Sequence, residues 1–349
     1  MTLAETVLGA AFAGLIAYAL FGGADFGGGI WDLLAGGTEG GHAVRDRIER
    51  SIGPVWEANH VWLIFVLVVL WTGFSRGFAA SVTTLYIPLT LAAFGIIARG
   101  AAFAYRKSVE ALGMRRFFGA AFALSSLLTP FFLGTVVGGV ASGRVPPSIG
   151  PGDVVRSWVN PTSLLGGALA VLVCAYLAAV FLCGDARRDG EHDLAGAFRR
   201  RALAAAVVTG AVGLIGIAVL RADAPLLFEG LTGRGLPVVL VSVAAGLTAF
   251  GLLLTRRYVA ARIASALAVI AILVGWAVAQ YPYLLLPSLT IEQAAAGRAT
   301  LLALLIALSA GAVILIPALV YLYTLFQKAS IEPKSPNRAR PSSRQNGHG

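Results

Sequence analysis

Charge is what this sequence has least of. Only 13% of its 349 residues are Asp, Glu, Lys or Arg, about half of the roughly 25% usual in soluble domains. With 58% hydrophobic residues and a mean hydropathy of +0.81, the chain cannot cover itself with a water-facing surface. The soluble globular class is excluded, and the composition reads as a polytopic membrane protein. Cysteine is nearly absent as well. Cys174 and Cys183 fall nine apart on one predicted helix, about 13 Å along its axis, so they cannot bridge each other within it. No disulfide framework follows. Walker A, H-E-x-x-H and serine-nucleophile motifs are missing. The run Gly22 to Gly29 lacks the G-x-G-x-x-G spacing of a nucleotide loop and reads instead as a place for close helix approach with a flexible exit from the membrane.

What is present is a series of apolar runs. Nine of them reach about 20 residues, the length that crosses roughly 30 Å of hydrocarbon: Leu3 to Phe26, Val55 to Phe74, Ala80 to Ala104, Phe117 to Val140, Ser163 to Leu182, Ala202 to Leu220, Leu236 to Leu254, Ile263 to Ala279 and Thr300 to Phe326. The first lacks a basic leader and is too long for the core of a cleaved signal, so it is read as a span. The expected fold class is an all-α polytopic membrane protein with nine transmembrane helices. It forms one transmembrane domain over residues 1–328, followed by a disordered cytoplasmic tail at 329–349, rich in Pro, Ser and Arg.

The net charge of +10 would suggest nucleic acid in a soluble protein. Here its distribution sets orientation, and no nucleic-acid partner is expected. Most of the 27 Lys and Arg lie after spans one, three, five and seven and in the tail, while six (Arg76, Arg144, Arg156, Arg221, Arg234, Arg298) lie on the other side. This asymmetry predicts the N-terminus outside and the C-terminus in the cytoplasm. Two outer loops are more than hairpins. Ser142 to Pro161 is Pro- and Gly-rich and reads as irregular, and Gln280 to Gly297 is expected along the interface, anchored by Tyr281 and Tyr283. Spans one and five end alike, on GGAD (Gly22 to Asp25) and CGD (Cys183 to Asp185). This suggests a pseudo-repeat of residues 1–140 and 161–280, giving two four-helix bundles plus one extra helix.

Chemistry concentrates in GPVWEANHVW, Gly53 to Trp62. Ionisable groups inside a span cost at least ~2.5 to 3.5 kcal/mol each on insertion scales and default to function. Gly53 and Pro54 suit a helix start, with Glu57 and His60 three apart on one face and Asn59 beside them. Trp56 lies four before His60. In the predicted topology Asp25 closes the first span on the same side, and Arg99 lies towards that side of the third. A carboxylate and an imidazole so placed can pass protons, whereas a guanidinium serves as counter-charge. The plainer alternatives are an ion pair of Glu57 with Arg99 or a carboxylate reaching to water, Asp25 marking the membrane exit, and His60 as a helix-to-helix hydrogen bonder. Metal ligands are few. His42 and His192 fall in loops, His348 in the tail and only His60 in a span, and the methionines are Met1 and Met114. Haem iron is usually held by His, Met, Cys or Tyr, and no pair of His or Met spans is available to sandwich one. Several redox centres within this chain are not expected.

These residues carry a resemblance. GADFGGGIWDLL (Gly23 to Leu34), IGPVWEANHVWLI (Ile52 to Ile64), YIPLTLAAFGIIARGAAFAYR (Tyr86 to Arg106) and YPYLLLPSLTIEQAAA (Tyr281 to Ala296) resemble, in order and spacing, subunit II of the cytochrome bd-type quinol oxidases, including the cyanide-insensitive branch. The resemblance runs from Met1 to about Lys328. It implies an oxidoreductase complex that oxidises membrane quinol and reduces dioxygen to water with cytoplasmic protons. In that family the haems, of b and d type, and the quinol-oxidising loop belong to subunit I. Subunit II packs against it and contributes acids to a shared proton path. By motif position Asp25 and Glu57 resemble those acids, and Trp56 would sit near the haem region. The resemblance leaves room for a structural quinone or lipid here and for a small single-span subunit. The chain departs from the pattern at Gly22 and Ala104, where acids are common, and at His60, where Glu is common in most members. A path here would use fewer acids, or water and His60 in their place. The rival is a stand-alone proton-coupled transporter, to which nine spans, a repeat and intramembrane acids also belong.

Overall fold

A computed structural model describes residues 1–36, 41–52, 56–109, 111–148 and 150–329. Within the helices, the side chains of residues 52, 56–58, 106–108, 112, 319, 322, 323 and 325–329 lie outside the described set, as does that of 115. The predicted tail lies outside it too, apart from residue 329. The described chain falls into two units, Met1–Leu304 and Leu305 onwards.

The first element is a helix nucleated by a capping box. Thr2 accepts from the Glu5 backbone N–H, and Glu5 returns the bond to the Thr2 N–H, satisfying two donors that a helix start leaves orphaned. Helix α1 (Leu3–Ala17) runs through one π-helical turn (Tyr18–Gly22) into α2 (Gly23–Leu33). Together they form a stretch of 31 residues, about 46 Å long at 1.5 Å per residue. The helix therefore runs on past the expected span end at Phe26, and the glycine run is helical. The close approach expected of it is real: a Cβ at Gly27 would overlap the Cys174 carbonyl.

Short amphipathic α3 (His42–Ile52) precedes α4 (Trp56–Gly73). Helix α4 turns by 118° at Phe74 into α5 (Ser75–Thr84), and α6 (Tyr86–Ser108) follows after the single residue Leu85. The expected continuous span from Ala80 is thus broken. Pro88 suits the new start: in the first turn of α6 its missing N–H costs nothing. Then come α7 (Leu112–Ala141), α8 (Pro161–Arg188), α9 (His192–Asp223), α10 (Pro225–Thr232), α11 (Leu236–Leu254) and α12 (Tyr258–Gln280). A small hairpin, β1 (Tyr283–Leu285) with β2 (Leu289–Thr290), and the four-residue α13 (Ile291–Ala294) lead into α14 (Arg298–Ala329). Among the described residues eight helices are long and apolar enough to cross a membrane, or nine if the bent pair α4 and α5 is one span.

Helix α8 is central to the first unit, packing on α2, α7, α9 and α12. Its start is fixed by Asn160, whose side chain accepts from the Ser163 N–H, and by Pro161 in the first turn. Small residues let α7 and α8 meet backbone to backbone: a Cβ at Gly166 would stand 2.6 Å from the Gly134 carbonyl oxygen. Ion pairs fasten both ends. At one, Asp223 takes Arg144 at 2.6 and 3.1 Å together with the Thr162 N–H and hydroxyl. At the other, buried Arg47 of α3 pairs with Asp189 and Glu191 after α8, and Arg45 holds Asp32 at 2.9 Å.

Candidate functional site: a buried ion pair beneath a histidine

Asp25 and Arg99 meet inside the first unit. Asp25 is 3% exposed on α2, and Arg99 is 1% exposed on α6. The guanidinium grips the carboxylate in a fork, Nη2 donating to Oδ1 at 2.7 Å and Nη1 to Oδ2 at 2.9 Å, while Nη2 also reaches the Asp25 carbonyl at 3.2 Å. Arg99 Nε donates to the Ser126 hydroxyl on α7 at 2.9 Å, and Ser126 in turn donates to the Phe122 carbonyl. The rings of Phe26 and Phe122 stand 5.0 and 4.8 Å from the guanidinium carbon. Burying two such ions costs several kcal/mol each, and only this kind of full coordination offsets it. Packing permits it locally because Gly29 has no side chain: a Cβ there would collide with Ser126.

His60 lies one aromatic ring away. Its imidazole centroid is 5.9 Å from the Phe26 ring and 6.2 Å from the Tyr18 ring, so Phe26 touches both His60 and Arg99. Asn59 is buried and donates to the Phe21 carbonyl in the π-helical turn at 3.3 Å, tying α4 to the first helix. Glu57 and Trp56 start α4, but their side chains lie outside the described residues.

The structure thus unites Asp25, Arg99 and His60 from three helices, with Asn59 bracing the third. It moves Asp25 from the expected helix end to eight residues before the end of α2. Of the two positions without the acids of the resemblance, Gly22 is buried under the Tyr18 ring, and Ala104 is exposed on α6. Sequence reasoning did not find Ser126, Phe122 or Tyr18. Serine and aromatics are ordinary in spans, and only the spacing of Ser126 opposite the glycine run offered a signal.

His60 packs beside the Tyr18 and Phe26 rings, the free cysteines Cys174 and Cys183 ride on one helix, and no group of three His, Cys, Asp or Glu able to hold a metal occurs among the described residues.

Fold and site together define a polytopic α-helical membrane protein with a charged pair sealed in its core. The family model for cytochrome bd terminal oxidase subunit II matches residues 3–326, and the chain belongs to that family. It is 28% identical to the cytochrome bd ubiquinol oxidase subunit 2 of Bacillus subtilis over 161 residues, 46% of this chain and 47% of that protein. To the cytochrome bd-I ubiquinol oxidase subunit 2 of Escherichia coli K12 it is 28% identical over 205 residues, 56% of this chain and 51% of that one. The chain therefore spans about half the length of these curated relatives. The bd oxidase of Geobacillus thermodenitrificans shares the fold, with a TM-score of 0.71 at 24% identity over 93% of this chain and 99% of that one.

Proposed function

We propose that this chain is subunit II of a bd-type terminal quinol oxidase. It packs on a haem-bearing subunit I and helps deliver cytoplasmic protons for the reduction of dioxygen to water with electrons from quinol. It is inactive without that partner, which holds the haem b and haem d centres. The family match over residues 3–326 supports the complex, and the buried Asp25, Arg99 and His60 group supports the proton role. With the N-terminus outside, α4 begins at the cytoplasmic face. Glu57 there takes up protons, and His60, one turn further in, receives them. Asp25, the second acid of the path, lies beside them with both carboxylate oxygens held by Arg99.

The proposed repeat has support in the packing. Span one meets span two (α1 with α4), span three meets four (α6 with α7) and one meets four (α2 with α7). Spans five to eight repeat this as α8 with α9, α11 with α12 and α8 with α12.

The test is purification from its native membrane. Co-purification with a haem-bearing membrane partner, giving quinol-dependent oxygen consumption, is the expected result. Solute uptake driven by a proton gradient in liposomes holding this chain alone would overturn it.

A further inference from the structure

We infer that Tyr18 and His60 form an uncharged proton relay that carries protons inward past the Asp25 and Arg99 pair. Two polar atoms at this place have no hydrogen-bond partner among the described residues, the Tyr18 hydroxyl and His60 Nδ1, and both are sealed from the surface. Buried polar groups are almost always paired, so each such atom needs a reason, and a water held between polar neighbours is a common one. The two rings pack together, centroids 6.2 Å apart and tilted by 47°, which brings both orphaned atoms to one place. Tyr18 opens the π-helical turn, a distortion often found at functional sites, and its ring lies over Gly22, where a Cβ would stand 3.0 Å from Cε2. A larger residue at position 22 would crowd the phenol ring.

The chemistry balances without a net charge remaining. One imidazole nitrogen takes a proton while the other gives one up, and the phenol passes its O–H proton onward as it accepts another from water. Among the described residues the charged groups around the pair are Asp25 of α2 and Arg99 of α6, with the Cys174 thiol of α8 also close. Since the first two neutralise each other, a neutral relay beside them meets little net field.

This relay rests on the proton role proposed above, and the experiment separates the two. In the assembled oxidase complex, with assembly checked by its haem spectrum, turnover is measured in H2O and D2O for Tyr18→Phe, His60→Leu, their double variant and Glu57→Gln. Each single variant carries the test if the other fails to assemble. Expected is a loss of about a hundredfold or more in each single variant, the low end of what a positioned proton-transfer group supplies, with an enlarged solvent isotope effect. The double variant should be no slower than the slower single, as members of one path are not additive. Wild-type rates in both singles with a slow Glu57→Gln overturn the relay but leave the proton role standing, as does a fully additive double. Wild-type rates in all three overturn both.

Discussion

Arg99 reaches from α6 to hold both carboxylate oxygens of Asp25 on α2, at 2.7 and 2.9 Å, with both side chains almost wholly shielded. Because neither ion has water to fall back on, removing one strands the other. Asp25→Ala or Arg99→Met alone should cost about 3–5 kcal/mol, the usual penalty for breaking a buried pair. The double variant should recover most of it. Thermal unfolding of the purified complex in detergent reads the difference. A loss in the double equal to the sum of the two singles would mean that the pair is not coupled.

Gly27 tests the packing that positions this pair. A side chain there meets the backbone of Cys174 and the Ala178 methyl, and backbone cannot turn aside as a side-chain tip can. Gly27→Val should destabilise by about 1–3 kcal/mol or more through overpacking, lowering the yield of assembled complex. Gly9→Val, at a position where a Cβ meets nothing within 4 Å, is the matched control and should assemble normally.

Much of this fold is legible because a membrane imposes one rule: a backbone crossing hydrocarbon must satisfy itself, so long apolar runs become helices. Leu236–Leu254 is found to the residue. The interruption before α6 is only half legible: Pro88 suits a helix start, yet α7 and α14 run through Pro130 and Pro317, so proline alone does not mark a break. Asp25 was misplaced because a glycine run in water signals an exit, whereas between packed helices it signals contact. The pairing of Arg99 with Asp25 depends on how α2 crosses α6, which no spacing within one helix encodes. The π-helical turn and the Tyr18 ring over Gly22 left no mark in the sequence.

Acid should loosen the loop between α7 and α8. Asp153 accepts from the backbone N–H groups of Arg156 at 2.8 Å and Val155 at 3.0 Å, and these bonds hold its carboxyl below the usual range. A lowered folded pKa means that this contribution is present above the ordinary carboxylate value and is lost as pH falls through the folded one. Arg156 has 87% of its side chain exposed and is a ready protease site. Cleavage there by an acid-active protease of trypsin-like specificity should rise below about pH 4, and Asp153→Ala should give the same rise at neutral pH. Cleavage that is flat with pH and unchanged by the variant would contradict this.

The central claim is that protons consumed in the partner enter through Glu57 of this chain. The direct measurement is proton uptake, followed with a pH indicator, when the fully reduced complex meets oxygen in a single turnover. With Glu57→Gln, uptake from the cytoplasmic side should slow by about a hundredfold or more while oxygen still binds at its normal rate. Uptake at the wild-type rate in that variant would contradict the account.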